Sequence, residues 1–250
     1  MPIIYLRRLT SVQRSPMANQ HLACYLAFVA GAVNAGGFLA VKQYTSHMSG
    51  VVATMSDSLA LGQIDVVLNG AAALLSFLLG AGTSAVLINL ARRAGLASVF
   101  ALPLVLEAGL LLAFGLAGAR LDAQRWSSVS MTVVLLCYIM GLQNAMITKV
   151  SKAEIRTTHI TGMVTDIGIE LGKLFYWNRM AEGGGGDRVW GDRKKLRILG
   201  ALVGLFFLGG LVGAVCFKEI GFISTLPLAV LVLLLGIVPV WDDIRKRVAH

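Results

Sequence analysis

Apolar residues gather in six long runs along this chain, near residues 22–41, 66–90, 99–117, 129–147, 198–217 and 222–241. Each reaches the roughly 20 residues that a helix needs to cross the hydrocarbon of a bilayer. The pattern predicts an all-α membrane protein with six spanning helices. Two shorter helical stretches, at about 45–62 and 158–176, open on hydroxyl groups and an imidazole instead of apolar side chains.

Those two openings repeat one string. Thr45-Ser46-His47-Met48-Ser49-Gly50 returns as Thr157-Thr158-His159-Ile160-Thr161-Gly162. Val33-Asn34-Ala35 precedes the first as Gln143-Asn144-Ala145 precedes the second. Residues 80–86 (GAGTSAV) resemble 209–215 (GGLVGAV), and Leu102-Pro103-Leu104 resembles Leu226-Pro227-Leu228. The chain therefore reads as two diverged copies of one four-part unit. A duplicated membrane unit builds its site where the copies meet.

Topology decides the kind of duplication. If both polar helices cross the membrane there are eight spans and the copies lie parallel. If both dip in and return, there are six spans and the second copy is inverted. Cytoplasmic short loops retain Lys and Arg. With the N-terminus inside, the re-entrant arrangement leaves only Lys42, Arg120, Arg125 and Lys218 outside, four of the 22 basic residues, against seven for eight spans. The charges favour two inverted repeats, with six spans and two short polar re-entrant helices. Residues 1–19 form a cytoplasmic basic segment, 20–118 the first repeat and 119–126 an external connector. Residues 127–242 form the second repeat, with a cytoplasmic glycine-rich loop at 178–196, and 243–250 a cytoplasmic tail. The repeats make a single membrane domain.

Composition agrees: 56% of the 250 residues are hydrophobic and 14% charged, which excludes a soluble domain with one core. The first apolar run lacks a convincing cleavage site and is long enough to span, so a retained helix is expected and not a removed signal peptide. Cys24, Cys137 and Cys216 fall inside separate runs and read as packing residues with no disulfide framework. The net charge of +9 suggests nucleic acid only if a soluble surface carries it, and none is expected, so membrane orientation accounts for it. The four glycines 183–186 make a flexible loop where the first copy has only Gln63-Ile64-Asp65.

Ser, Thr and Gly ahead of an apolar helix read as N-cap residues whose oxygens satisfy the first amides. Irregular backbone at membrane depth is tolerated only beside protein or an aqueous cavity. A re-entrant helix of about 12 residues rises roughly 18 Å, so its start lies near the midplane. Two such ends offer amide donors and partial positive charge, which suits a small anion or a carboxylate. Thr45, Ser46, Ser49, Gly50, Thr157, Thr158, Thr161 and Gly162 are candidate substrate contacts, with close helix packing the alternative for each. His47 and His159 are the sharper candidates, because imidazole titrates near neutral pH and can relay a proton, bind substrate or gate. Their spacing to carboxylates matches no familiar metal ligand set, so no metal or other cofactor is expected.

On the second polar helix His159, Met163, Asp166, Glu170 and Lys173 fall on one face, against His47, Val51, Thr54, Ser58 and Leu61 on the first. Asp166 is a candidate for proton coupling, with Glu170–Lys173 a plain surface pair near the cytoplasm. Glu107, within its apolar run, must be protonated, paired or beside water, and is a further proton-coupling candidate whose counterpart is Leu231. Asn34 and Asn144 are suited to bridge helices or coordinate solute. Pro103 and Pro227 are expected to kink equivalent spans. Tyr44, Tyr176, Trp177 and Trp241 read as interfacial anchors.

The strings running from Val33 to Leu39 and Tyr44 to Gly50, with Gln143-Asn144-Ala145 and Thr157 to Gly162, resemble those of the YoaK-type family of bacterial membrane proteins. The resemblance covers roughly residues 20–242. It implies a multi-pass protein of the bacterial inner membrane and supplies no catalytic residues, since the family is a domain of unknown function. His159 departs from the more usual apolar residue before the second motif.

The expected function is a small-solute transporter or channel, for a small anion or weak acid, with both termini cytoplasmic. Membrane lipid and a small-molecule or ion substrate are the expected partners, with self-association open and nucleic acid not expected. An intramembrane enzyme is the weaker alternative, because no HExxH or GxSxG string is present. A membrane scaffold or sensor acting through the loop around 183–186 is the other.

Overall fold

The computed structural model describes residues 9, 15–41, 43–118, 126–151, 158–176 and 189–248. Thr157, Trp177, the glycines 183–186 and most of segments 1–19 and 119–126 lie outside the described residues. The elements are α1 (Pro16–Val41), α2 (Met48–Ala60), α3 (Ile64–Arg93), α4 (Ala101–Gly118), α5 (Trp126–Val150), α6 (Ile160–Phe175), α7 (Arg193–Ile220), a 3-10 turn (Gly221–Ser224) and α8 (Thr225–Val248). No strand occurs among the described residues.

Helix ends follow from local chemistry. After α2, Gly62 takes φ 73° while its amide donates to Leu59 and that of Gln63 to Ser58. Gly95 after α3 does the same at φ 66°, with Gly95 N–H on Arg92 and Leu96 N–H on Ala91. Both are the paired closure that needs a left-handed residue, so glycine is placed where a side chain would strain. Gly221 at φ 63° separates α7 from α8. Pro103 and Pro227 each lie third in their helices, α4 and α8. The expected kinks do not arise there, because first-turn amides have no intrahelical acceptor to lose. The proline inside a helix is Pro239.

Four helical stretches among the described residues are long and apolar enough to cross a membrane: Met17–Leu39, Ile64–Arg93, Met131–Val150 and Arg193–Arg245. The last contains both α7 and α8, and Ala101–Leu116 is a shorter apolar helix. On α3, Leu68, Leu75, Leu79 and Val86 are exposed, as are Phe207, Leu211 and Val215 on α7. Such outward apolar rows suit hydrocarbon surroundings, where no polar face is needed.

Packing is set by glycine. α1 lies on α7 and α3 on α5. A Cβ added at Gly209 would collide with the Phe28 carbonyl, at Gly31 with that of Phe206, and at Gly213 with Ala32. Equivalent collisions await Gly80 at the Tyr138 carbonyl and Gly141 at that of Phe77. These close backbone approaches lie within one chain, which answers what the glycine faces pack on. Residue numbers rise together along both interfaces, so each pair runs parallel. α4 lies on α8 the other way: Gly118 meets Phe222, Gly115 meets Thr225, Gly236 meets Ala101, and Ser98 bonds Asp243. The main apolar core runs through α1, α4 and α5, with Leu26, Leu104, Leu111, Leu136 and Met140 fully buried.

Candidate functional site

Asn34 lies seven residues before the end of α1 and reaches the segment that follows it. Its Oδ1 accepts the Thr45 amide at 3.1 Å, the Ser46 amide at 3.3 Å and the Ser46 hydroxyl at 3.0 Å. The chain has therefore turned back beside α1 before α2 begins. In the second copy Thr158 Oγ1 donates to Asn144 Oδ1 at 2.7 Å, six residues before the end of α5. Asn34 and Asn144 bridge to the polar strings.

The N-cap residues are His47 at φ −99° and His159 at φ −85°, and neither makes a side-chain cap bond. The expected hydroxyl capping is thus replaced. Ser46 and Thr158 precede the cap position and donate to asparagine, which leaves the first amides of α2 and α6 without side-chain acceptors from the string. Thr45 is fully buried and its Oγ1 has no partner. Ser49, Thr161, His47 and His159 are exposed.

Gly50 and Gly162 have a shared reason. A Cβ at Gly50 would strike the His47 ring, and one at Gly162 the His159 ring. Three residues on from the cap, glycine lets each imidazole fold back over the first turn of its helix. Beside His47 opens a cavity of about 450 Å³, lined also by Gln43, Tyr44, Thr54, Met55 and Asn69. That is the size range of small-molecule sites. All its lining comes from residues 43–70, and none from the second copy. Asn69, a polar residue within an apolar run, was the signal the sequence pattern left unused. Tyr44 stacks on Phe38 with ring centroids 4.7 Å apart.

α2 has 13 residues, about 20 Å of rise, and α6 has 16, about 24 Å. Met48 at the start of α2 joins a small cluster with Val51, Ala73, Cys137 and Phe77. Phe77 is near the middle of the 30-residue α3, so α2 starts halfway along it.

The acidic stripe of α6 faces α7. Glu170, only 3% exposed, accepts the Asp192 amide at 2.9 Å and Lys173 at 3.0 Å, while Lys195 lies 3.6 Å away. Asp166 sits 3.5 Å from Lys195. The Asp192 amide and the Lys173 ammonium hold the Glu170 carboxyl below its usual range. Asp192 itself caps α7, accepting the amides of Lys194 and Lys195. The expected surface pair is thus a junction that fixes α6 to α7. At the positions of Asp166, Glu170 and Lys173 the first copy has Thr54, Ser58 and Leu61.

Glu107 is fully buried on α4, and Gln143 Nε2 of α5 donates to its Oε1 at 2.9 Å. Gln143, adjacent to Asn144, is the partner that the sequence could not name. Among the described residues no group of three His, Cys, Asp or Glu is placed to hold a metal ion.

Comparison with curated proteins returned no match, and comparison with solved structures returned none. The family described as protein of unknown function (DUF1275) matches residues 22–238, nearly the whole helical bundle including both polar strings. A match of that extent fixes the relationship, and the chain belongs to that family.

Proposed function

We propose that this protein is a small-solute transporter or channel of a bacterial cytoplasmic membrane, passing small anions or weak acids at a polar site built from the two helix starts. The observation that carries this reading is the pair of strings drawn back beside their preceding helices by Asn34 and Asn144, with a cavity beside His47. Polar backbone of that kind is stable at membrane depth only against protein or water. Short helices starting midway along a span are the usual way membrane carriers present amide donors to an anion.

Helix directions support the reading of six spans in two inverted repeats. α4 and α8 run antiparallel, which requires an odd number of crossings after α4 up to and including α8. Counting α5, α7 and α8 as three supports an α6 that enters and returns. α1 and α7 run parallel, which needs an even number of crossings after α1 up to and including α7; α3, α4, α5 and α7 supply four, which supports a re-entrant α2 as well. Their lengths, below the ~30 Å hydrocarbon thickness, support the same topology. The first helix of each copy packs on the third helix of the other, so the two halves interlock.

The test is reconstitution of the purified chain in liposomes with formate, acetate, nitrate and chloride as probes. Flux of at least one, lost in His47→Ala and Ser49→Ala, is the expected result. Full flux in both variants refutes the site, and no flux of any probe refutes the anion assignment. A cysteine at Gln63 labelled only from outside supports the inverted topology, whereas labelling only from the cytosol sinks it.

A further inference from the structure

The buried pair between α4 and α5 has an unfinished hydrogen-bond pattern. Gln143 Nε2 donates to Glu107 Oε1, and both remaining oxygens, Glu107 Oε2 and Gln143 Oε1, lack any partner. Both residues are 0% exposed. Two orphaned acceptors side by side are costly in a dry interior, and a carboxylate held there by one neutral donor is costlier still. One proton resolves both faults. On Glu107 Oε2 it removes the charge and supplies the missing donor, and Gln143 Oε1 is an unpaired acceptor on the side chain already bonded to Glu107.

Among the described residues no ionic partner of Glu107 offers another solution. α4 packs on α8, α5, α3 and the 3-10 turn, whose residues 221–224 carry no titratable side chain. Arg92 and Arg93 lie in the last turn of α3 with Asp65 in its first, and Lys149 lies in the last turn of α5. Asp242, Asp243 and Arg245 are near the end of α8, where Asp243 holds Ser98. Tyr138 of α5 donates to Thr83, and Cys137 packs with Val51 and Ala73.

The duplication sharpens the point. Glu107 stands where the second copy has Leu231, and Gln143 where the first has Val33. Both polar members occur together at one interface and both are apolar at the equivalent one, as expected of a pair with a joint task. Gln143 also adjoins Asn144, whose Oδ1 holds Thr158 at the start of α6.

We infer that Glu107 and Gln143 bind and release a single proton, and that occupancy of this site is passed through α5 to the polar start of α6. Proton binding closes the carboxyl–amide pair, and its loss frees Gln143 to turn, moving the backbone that carries Asn144. The other half of the molecule, with Val33 and Leu231, has no such response. The use of this proton in transport rests on the function proposed above, whereas the proton site stands independently of it.

The test uses the full chain in nanodiscs and needs no substrate. Infrared spectra across a pH series are expected to show a protonated-carboxyl band that shifts in D2O, disappears at high pH and is absent in Glu107→Gln. Gln143→Leu should retain the band at a shifted frequency. Thr161→Cys, labelled with a maleimide against the unmodified chain as blank and divided by the rate of a free thiol at each pH, should show a relative rate whose pH dependence disappears when Glu107→Gln is added. Glu107→Leu with Gln143→Val, which copies the other half, should fold and lose both signals. A carboxyl band unaffected by Glu107→Gln, or one that never titrates, overturns the proton site. A relative labelling rate whose pH dependence survives Glu107→Gln overturns the coupling. Absence of flux with both signals intact would instead count against transport alone.

Discussion

Asn34 and Asn144 occupy matching places in the two copies, yet their removal should cost different amounts. Asn34→Ala takes away one oxygen that accepts two backbone amides and a hydroxyl. Thr45 is 0% exposed, so its amide has no water to turn to, and a buried donor left alone costs about 1–3 kcal/mol. Ser46 is half-buried and its two donors can reach the solvent side, which adds about 1 kcal/mol. The total is about 2–4 kcal/mol. Among the described residues Asn144→Ala removes one bond, to the Thr158 hydroxyl, and Thr158 is half-buried, so the cost from that partner is about 0.5–1.5 kcal/mol. The volume removed is identical and cancels in the comparison. Equilibrium unfolding of both variants in mixed micelles measures the difference, expected to be about 2 kcal/mol, within about 0.5–3.5 kcal/mol, with Asn34→Ala the worse. If Asn144→Ala proved equally or more damaging, the reasoning from donors left dry would be wrong.

Gly209→Ala should lower stability by about 1–3 kcal/mol, because its methyl meets the Phe28 carbonyl, while Gly200→Ala, with open space around it, should be neutral or slightly stabilising in a thermal melt. Gly50→Ala should displace the His47 ring and reduce flux of a transported probe with little change in melting temperature, since a side chain and no backbone must move. Glu170 binds its proton less readily folded than unfolded. The stability it contributes is therefore complete above its ordinary value of 4.5 and lost as pH falls through the lowered folded value. Proteolysis near Asp192 should rise over that acid range, and Glu170→Gln should abolish the dependence.

Much of the molecule was legible in local pattern. The long apolar runs became helices because only helices satisfy their own backbone in hydrocarbon. Repetition of the string around His47 and His159 marked two equivalent helix starts, and the short stretches were helices of 13 and 16 residues. The spacing from His47 to Gly50 already held the reason for glycine there, although it is visible only once the ring is seen folded over the turn. The N-cap assignment failed because the cap position fell on His47 and His159, one residue past Ser46 and Thr158, whose hydroxyls donate to Asn34 and Asn144. The kinks expected at Pro103 and Pro227 failed on a boundary: each helix begins two residues earlier, where proline costs nothing.

Partnership was decided by the tertiary structure alone. The sequence determined that α1, α3, α5 and α7 would be helices and set glycine-rich stretches at 80–86 and 209–215, but helices apolar on every side carry no stripe that aims them at a neighbour. Only assembly set Gly31 and Gly209 against α7 and α1, Gly80 and Gly141 against α5 and α3, and α4 antiparallel to α8. The same holds for Glu107. Sequence fixed that a carboxyl in an apolar run must find a neutral form or a partner, by the cost of charge in hydrocarbon. That the partner is Gln143, one residue from the asparagine holding α6, depends on how α4 and α5 rotate about their axes, a choice made by packing and not by either helix.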